Sequence, residues 1–517
     1  MIFLKKSITI FLFVVLALGN FSQVLAFSDG TEDTDFYTNL GTGFNNEVLV
    51  IAEQSDGDIL VGGDFTSLNG NVRNHFGRLN SDGTEDTAFY ANLGTGFDNS
   101  VFGLAVDANG KILVGGGFAY LNDNLRNYFV RLNSDGTEDA DFITNLGDGF
   151  DSEVDIITVQ NDGKILVGGA FSNLNNNPRP VMVRLNSDGT EDVDFDNNLG
   201  DGFNDTPIAI QEQDDGKILI GGYFSTLDNN PRTLLVRLNA DGTEDTDFYT
   251  NLGTGFVGSF VSSVLLQDDG KILVGGNFTN FNGNVRNRLI RLNSDGTEDT
   301  AFYTNLGTGF DLSILDLALQ TDGDILAQGL FTHLNSQERN RIVRLNSDGT
   351  EDTAFYTNLG TGFGNHTKVL SLQENAGILI GGAFTTFNEN PRNYFVRLGT
   401  PAAPAPDPEP APRSHSSSGS RPAYRALFAA NPVFVVPVVN PVPTVIIKET
   451  TKCEIIQTLK TGSVGEEVKC LQKILGGVDN DGFFGPKTKN AVIFFQKNNP
   501  PLVPDGIVGP LTRNKLQ

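Results

Sequence analysis

Three carboxylates recur in a short phrase, Asp-Gly-Thr-Glu-Asp, which the chain repeats seven times. Its copies begin at Asp29, Asp82, Asp135, Asp188, Asp241, Asp295 and Asp348. Paired carboxylates can cleave glycosidic bonds, and acidic turns can bind Ca²⁺. An active site needs one special place, however, whereas these acids recur in every copy. The spacing also lacks the Asp-x-Asp-x-Asp-Gly order of a calcium loop. We therefore interpret the phrase as a turn, with Ca²⁺ binding there as an open alternative.

An arginine also recurs once in each repeat. The set consists of Arg73, Arg126, Arg179, Arg232, Arg286, Arg339 and Arg392. Seven equivalent arginines could ring one surface, or they could pair with the recurring carboxylates. Because such repetition normally serves packing, we favour salt bridges between neighbouring repeats.

The four histidines form no recognisable catalytic or metal-binding pattern. His75, His333 and His366 fall in different repeats, at positions where the other repeats have no histidine, and His415 lies outside the repeats. The phrases His-Glu-x-x-His, His-x-Asp and Gly-x-Ser-x-Gly do not occur in the sequence. The sequence therefore predicts no catalytic residue, no metal site and no cofactor.

The elements that carry these residues have the pattern of short strands. Successive phrases begin 53 residues apart, with one interval of 54. In the third repeat, the runs Glu153–Gln160 and Lys164–Phe171 are separated by Asn-Asp-Gly, which indicates a β-hairpin. A further strand ends in Arg184-Leu185. We interpret the Phe-containing segment after each phrase as a fourth, extended strand. Each repeat then predicts a four-stranded antiparallel blade.

Residues 27–399 are predicted to form an all-β, seven-bladed propeller. The first phrase has no hairpin before it, and the last repeat ends at Arg397-Leu398 with no phrase after it. Residues 27–46 can therefore supply the outer strand of the last blade and close the ring, which leaves no open edge. The recurring phenylalanines would fill the space between blades. An open β-solenoid is the alternative architecture.

The repeated phrases resemble those of the delta-60 repeat family. The hairpin half of that pattern begins at Asp162-Gly163, and its second half runs from Arg184 to Phe195. The resemblance covers residues 27–398 and implies a β-propeller-like fold without any particular chemistry. The sixth repeat departs from the pattern, since Ala327-Gln-Gly-Leu330 replaces its Val-Gly-Gly step.

One segment precedes the repeats and another follows them. Residues 1–26 have the basic start, the apolar run from Ile8 to Leu18 and the small residue Ala26 of a secretory signal peptide. A retained N-terminal anchor is the alternative. Residues 400–448 are rich in Pro, Ala and Ser, which predicts a linker. No other segment approaches the roughly 18 apolar residues of a membrane span. The net charge of −27 argues against nucleic-acid binding.

Residues 449–517 predict a small all-α domain of three helices. Val468 and Leu471 recur at helical spacing, and Pro486 and Pro510 can each open a helix, because the first turn needs no N–H there.

The only two cysteines of the chain, Cys453 and Cys470, both fall in this C-terminal region. In an exported protein, a lone close pair is more typical of a disulfide than of a metal site. We expect the bridge to tie the end of the linker to the first helix.

Two loops of this domain share a phrase, Asp481-Gly-Phe-Phe-Gly-Pro and Asp505-Gly-Ile-Val-Gly-Pro. With these loops the domain resembles the three-helix peptidoglycan-binding domain found on bacterial wall hydrolases. The resemblance implies a binding groove near the Asp-Gly loops. Its implied contacts are Asp481, Gly482, Phe484, Gly485, Thr488, Gln496, Asp505 and Gly506.

Together these features predict a secreted protein of the cell wall or cell surface. Its partner would be peptidoglycan, held by the C-terminal domain. The propeller would be a non-catalytic platform for a ligand or protein that the sequence does not identify. The alternative is a wall-remodelling hydrolase whose site on the propeller escapes recognition.

Overall fold

The computed structural model divides the chain into two compact units, Met1–Ala411 and Pro412–Gln517, which are described separately. In the first unit it describes residues 29–179, 181–373 and 377–399. In the second unit it describes residues 455, 459–460, 463, 466–475, 484, 486–497, 499 and 506–516. The predicted signal segment 1–26 and the predicted linker 400–448 lie outside the described residues.

Each blade of the first unit is built on three antiparallel strands, which we name inner, middle and outer. The inner strands are Val48–Glu53, Val101–Val106, Val154–Val159, Pro207–Glu212, Phe256–Leu266, Ile314–Leu319 and Thr367–Leu372. The middle strands are Ile59–Gly63, Ile112–Gly116, Ile165–Gly169, Ile218–Gly222, Ile272–Phe281, Ile325–Gly329 and Ile378–Gly382. The outer strands are Phe76–Leu79, Phe129–Leu132, Met182–Leu185, Leu235–Leu238, Leu289–Leu292, Ile342–Leu345 and Phe395–Leu398.

The predicted hairpin joins the inner and middle strands. In the third blade, the Gly163 amide donates to the Gln160 carbonyl at 2.9 Å. Gly163 has a φ of +85°, which a tight turn requires and which glycine adopts without a steric cost. Six middle strands, and the first half of the long one in the fifth blade, are buried throughout, because they lie between two strands of their own blade and between two neighbouring blades.

A small two-stranded hairpin lies between the middle and outer strands of a blade. The pairs are Ser67–Leu68 with Asn71–Val72, Tyr120–Leu121 with Asn124–Leu125, Asn173–Leu174 with Asn177–Pro178, Thr226–Leu227 with Asn230–Pro231, His333–Leu334 with Gln337–Glu338, and Thr386–Phe387 with Asn390–Pro391. In the fifth blade, the long middle strand itself pairs with Asn284–Val285.

The Phe-containing segment after each phrase is a short helix, and the prediction of an extended fourth strand there was wrong. These blade helices, α1 to α7, are Thr34–Leu40, Thr87–Leu93, Ala140–Leu146, Val193–Leu199, Thr246–Leu252, Thr300–Leu306 and Thr353–Leu359. What remains of the fourth strand is a single bridge at the glutamate of the phrase, such as Leu79 with Glu85.

The second Asp of the phrase explains why the chain turns into a helix at this point. Asp33 caps the first helix, because its carboxylate accepts a hydrogen bond from the Phe36 amide at 3.0 Å. Phe36 and Leu40 lie one turn apart and are both buried. The helix stops at Gly41, which has a φ of +74°.

The ring of seven blades is closed by the start of the chain, as predicted. Inner strands of successive blades contact one another around the ring, and the last inner strand contacts the first. Glu32 bridges to Leu398, and the Asp33 amide donates to the Arg397 carbonyl at 2.9 Å. Helix α1 packs on the last outer strand. These contacts exclude the open solenoid.

The core lies between the blades and is rich in phenylalanine, as predicted. Phe44 contacts Phe65 with ring centroids 4.6 Å apart, and it contacts Phe395 of the last blade at 6.0 Å. All three side chains are buried. Each blade therefore completes the core of its neighbour, which is the reason that a repeat of this kind needs a ring.

The described residues of the second unit form three helices, α8 to α10, at Glu466–Leu475, Pro486–Lys497 and Pro510–Leu516. They enclose a small core that includes Val468, Leu471, Phe484, Val492 and Val508. In the described parts of both units, no helix is long and apolar enough to cross a membrane.

Candidate functional sites

The first acid of the repeated phrase holds its own turn. One carboxylate oxygen of Asp82 accepts hydrogen bonds from the Thr84 amide at 2.9 Å and from the Thr84 hydroxyl at 2.6 Å. These hydrogen bonds lower the pKa of Asp82. The acid is therefore used in a local turn, as the sequence interpretation expected.

The glutamate of the phrase pairs with the recurring arginine, and this prediction is confirmed. The ion pairs are Arg73–Glu85, Arg126–Glu138, Arg179–Glu191, Arg232–Glu244, Arg286–Glu298, Arg339–Glu351 and Arg392–Glu32. Because each glutamate is bridged to the outer strand that follows its arginine, the pair joins two segments of one blade. We had expected this pair to join neighbouring blades, and that part of the prediction was wrong.

A second recurring arginine, at the end of each outer strand, makes the contact between blades. Arg78 pairs with the capping residue Asp86 at 2.6 Å, lies 4.4 Å from the Phe89 ring centroid, and donates to the Ser134 carbonyl of the next blade at 2.7 Å. The equivalent ion pairs are Arg131–Asp139, Arg184–Asp192, Arg237–Asp245, Arg291–Asp299, Arg344–Asp352 and Arg397–Asp33. Sequence analysis noted this arginine only as the end of a strand.

The repeated charged residues thus stabilise the ring. Places where one blade alone carries a different residue are the candidates for a further role. The first such place is Asp196 on α4. Its carboxylate accepts a hydrogen bond from the Arg184 amide at 3.1 Å through Oδ1. Its Oδ2 has no hydrogen-bond partner among the described residues and lies 3.7 Å from Arg179 Nε.

Asp196 forms part of the wall of a cavity of about 130 Å³, together with Arg179, Met182 and Leu199. Its side chain is only 1% exposed. Burial raises the pKa of Asp196 to about 8, and the neighbouring Glu191 carboxylate adds to this effect, while the Arg184 amide opposes it.

The second such place is the interface between the sixth and seventh blades. Gln328 stands where other blades have glycine, and its side-chain nitrogen and oxygen have no hydrogen-bond partner among the described residues. In the first blade, a Cβ at the equivalent Gly62 would approach Val101 of the next blade to 2.6 Å. The buried Thr367 takes that valine's place opposite Gln328. The departure in the sixth repeat is therefore matched by a change in the seventh.

Asp316 lies beside this interface and connects three blades. Its carboxylate accepts hydrogen bonds from the Leu370 amide at 3.0 Å and from the Ser263 hydroxyl at 3.4 Å. Removal of the carboxylate from bulk water raises the pKa of Asp316 to about 6, although the hydrogen bonds act in the opposite direction.

In the part of the chain that the structure describes, the histidines have different partners. His333 lies 3.2 Å from an Asp311 carboxylate oxygen, and His75 contacts the Gly63 carbonyl at 3.1 Å. Among the described residues, no group of three His, Cys, Asp or Glu side chains is placed to hold a metal ion.

In the C-terminal unit, the predicted binding residues that the structure describes lie inside the domain. Gln496 is buried; its Oε1 accepts from the Gly506 amide at 2.9 Å, and its Nε2 donates to the Thr512 hydroxyl at 3.1 Å. Thr488 is also buried and accepts from Gln472 Nε2 at 3.1 Å. These two Gln–Thr pairs connect α8 with α9 and α9 with α10.

The other predicted residues divide between the core and the part of the chain outside the description. Phe484 is fully buried. The residues outside the described part are Asp481, Gly482, Gly485, Asp505 and Cys453. Cys470 is described, and its side chain is buried on α8. Contact of the loop residues with peptidoglycan, and the bridge between the cysteines, stay predictions.

Both units match known protein families. Residues 54–89, 108–142, 160–195, 213–248, 267–302, 320–355 and 377–400 match a family described as a domain of unknown function (DUF5122) beta-propeller. The chain carries seven DUF5122 β-propeller repeats. Residues 464–516 match a putative peptidoglycan-binding domain, which contains the three helices of the second unit.

The DUF5122 segments agree with the closure of the ring. The first begins at Gln54, at the turn before a middle strand, and ends at Phe89 of a blade helix. The last stops at residue 400, because the helix that completes the seventh blade is α1, at the other end of the propeller. The short seventh match and the unmatched first helix are therefore two parts of one repeat.

Two solved structures illustrate the wider similarity. The extracellular domain of a putative hybrid two-component system from B. thetaiotaomicron is 12% identical, with a TM-score of 0.38; the match covers 69% of this chain and 39% of that one. The WD40 β-propeller domain of Doa1 is 11% identical, with a TM-score of 0.39; the match covers 72% of this chain and 96% of that one. The comparison with curated proteins finds no match. The fold assignment rests on the DUF5122 repeats and on the closed ring.

Proposed function

We propose that this protein is exported, is held on peptidoglycan by its C-terminal domain, and presents its propeller as a non-catalytic binding platform. The observation that carries the proposal is the presence, in one chain, of a putative peptidoglycan-binding domain and seven DUF5122 repeats. Residues 1–26, with the pattern of a secretory signal, supply the route to the wall.

The distribution of charge supports attachment to an anionic wall. Residues 451–517 contain nine Lys and Arg and six Asp and Glu, whereas the whole chain has a net charge of −27. A basic domain attached to an acidic body is attracted to a negative surface at long range, which orients the protein without adding contact affinity.

The packing of the repeated acids supports a non-catalytic propeller. In each phrase, the first Asp holds the turn, the Glu pairs with one arginine and the second Asp pairs with another, as Asp82, Glu85 and Asp86 do. The second Asp also caps a helix in six of the seven phrases, Asp192 being the exception. Carboxylates that are engaged in this way are not available to act as an acid and a base on a sugar.

Sedimentation with purified, insoluble peptidoglycan tests the attachment. We expect the full chain to sediment with the sacculi, and a chain that ends at Ala411 to stay in solution. Equal thermal unfolding of the propeller in both proteins would show that the truncation left the ring intact. Failure of the full chain to sediment would contradict the attachment.

The same incubation tests the non-catalytic part of the proposal. A hydrolase would release soluble muropeptides from the sacculi, and these are detected by chromatography of the supernatant. We expect no release above that of a boiled control. Release by the full chain would favour the hydrolase instead.

A further inference from the structure

One position of the blade helix is tyrosine in five blades and faces the recurring arginine. The seven residues at this position are Tyr37, Tyr90, Ile143, Asp196, Tyr249, Tyr303 and Tyr356. Where it is tyrosine, the arginine guanidinium lies over the ring, for example at 3.5 Å from the Tyr37 centroid and at 3.8 Å from that of Tyr356. The propeller therefore contains a repeated slot for one phenol ring.

In the third blade this slot is not filled by the chain. Asp196 is too short to cover Arg179, and among the described residues no aromatic ring lies over that guanidinium. The Arg179 side chain is 24% exposed, against 12–20% for the five arginines that a tyrosine ring covers. The second blade has no comparable charge at this position, because Ile143 occupies it.

The space beside Arg179 has the size of one ring. The cavity measures about 130 Å³. An enclosed apolar cavity of about 150 Å³ in another protein holds benzene, whereas this cavity is partly open and its lining is more polar than apolar. Met182 and Leu199 give the cavity apolar walls, while Arg179 and Asp196 give it a cationic face and a polar end.

The polar end of the cavity has a carboxylate oxygen that accepts no hydrogen bond from the described residues, and the Glu191 carboxylate is the group that a protonated Asp196 can donate to. Asp196 Oδ2 is buried and has no hydrogen-bond partner among the described residues. A buried polar atom without a partner is costly, so a ligand that supplies a hydroxyl there gains a hydrogen bond that water does not already provide.

We propose that this cavity binds a p-hydroxyphenyl group, either a free phenol or the tyrosyl side chain of a peptide. The ring stacks on Arg179, as the protein's own tyrosines stack on the equivalent arginines. Because Asp196 stands where the tyrosine side chain begins in other blades, a ring that enters from outside meets it with the hydroxyl. The hydroxyl then donates a hydrogen bond to Asp196 Oδ2.

Titration of p-cresol into the full chain, followed by ligand-observed NMR, tests the proposal. We expect saturable binding that Asp196→Tyr abolishes, because the new ring fills the slot from within. The control Asp194→Tyr places the same ring at an exposed position of α4 and should bind p-cresol as the unaltered chain does. Toluene, which lacks the hydroxyl, should bind about tenfold more weakly.

Two further measurements keep the test decisive. Asp196→Ile copies the residue of the second blade and should also abolish binding. It provides the test if Asp196→Tyr does not fold. Tyr249→Asp should open a second slot over Arg232 and raise the stoichiometry from one p-cresol to two. Absence of saturable binding to the unaltered chain, or unchanged binding to both Asp196 variants, overturns the proposal.

N-acetyl-tyrosinamide distinguishes the two sources of the ring. If it displaces p-cresol, the slot accepts a tyrosyl side chain with amide groups on both sides of its Cα. If only p-cresol and other free phenols bind, the ligand is a small molecule. Either result supports a site for a p-hydroxyphenyl group.

Discussion

At the scale of single residues, the informative positions are those that break the repeat. Asp196 and Gln328 each replace a residue that recurs in other blades, and each has a buried polar atom without a hydrogen-bond partner in the described structure. Residues that stabilise the ring recur from blade to blade. A residue that departs from the repeat in one blade is therefore not explained by the packing of the ring alone.

Asp196 should make the stability of the propeller depend on pH. Its folded-state pKa of about 8 lies above the ordinary value of 3.8, so the folded protein keeps a proton that the unfolded chain releases. Its contribution to stability is therefore complete below about pH 4 and is lost as the pH rises to about 8. We expect Asp196→Asn to remove this decline and to raise the free energy of unfolding above pH 8 by about 1–3 kcal/mol.

Urea unfolding at a series of pH values measures this effect. The matched control is Asp194→Asn, which removes an exposed carboxylate from the same helix. If the unaltered chain and Asp196→Asn gave parallel curves of stability against pH, Asp196 would not carry the perturbed pKa.

At the scale of elements, the blade helices show what a short sequence pattern can hide. Seven residues are too few for a clear hydrophobic period, and the Phe-rich segment resembled a strand. The signal was in its ends: Asp33 at the start supplies the cap, and Gly41 after the last residue supplies a positive φ. The packing of Phe36 and Leu40 against the neighbouring blade then supplies the stability that an isolated helix of this length lacks.

The end of each blade helix is held by a residue of the next hairpin, and one hairpin does this less well. Asn335 donates from Nδ2 to the Leu306 carbonyl at 2.8 Å and accepts from the Gly309 amide at 3.1 Å. Asp228 accepts from the Asp201 amide at 3.2 Å, but a carboxylate cannot donate to the end of α4 and also places a negative charge there.

Asp228→Asn should therefore stabilise the protein, and Asn335→Asp should destabilise it. We expect changes of about 0.5–1.5 kcal/mol in the free energy of unfolding, in opposite directions, because each substitution exchanges one hydrogen-bond donor for a charge. Chemical unfolding of the two variants measures them as a matched pair. Changes of the same sign would show that the hairpin residue does not hold the helix end.

At the scale of the whole molecule, closure of the ring lets the first residues of the propeller contribute as much to stability as the equivalent residues of internal repeats. The pair Arg392–Glu32 connects residues 360 positions apart, yet it has the same form as Arg232–Glu244, with a tyrosine ring against each arginine. The degree of exposure is also similar in the two pairs.

Glu32→Ala should consequently cost as much stability as Glu244→Ala. We expect a loss of about 1–3 kcal/mol in each variant, since each leaves a half-buried arginine without its carboxylate. Thermal or urea unfolding of both variants makes the comparison. A negligible effect of Glu32→Ala beside a large effect of Glu244→Ala would indicate that the ring is open at this seam.

The placement of both cysteines in the C-terminal unit allows the predicted bridge to be tested without altering the propeller. A disulfide between Cys453 and Cys470 would close a loop of about 17 residues and stabilise the domain by about 3 kcal/mol. We expect a reducing agent to lower the unfolding temperature of the helical unit and to leave that of the propeller unchanged. Intact-mass measurement with and without reduction counts the two thiols, and two free thiols in the unreduced protein would contradict the bridge.

The sequence by itself determined the number of blades, the core phenylalanines, the hairpins and the closing of the ring, because a strict period makes each repeat evidence for the others. It also indicated both families from local phrases. Only the tertiary structure decided which arginine joins neighbouring blades, since Arg78 and Ser134 belong to different repeats and meet only across a blade interface. It also decided that Arg179 and Asp196 line one cavity. A cavity exists only where neighbouring elements are packed around it, so no single segment of the sequence could reveal it.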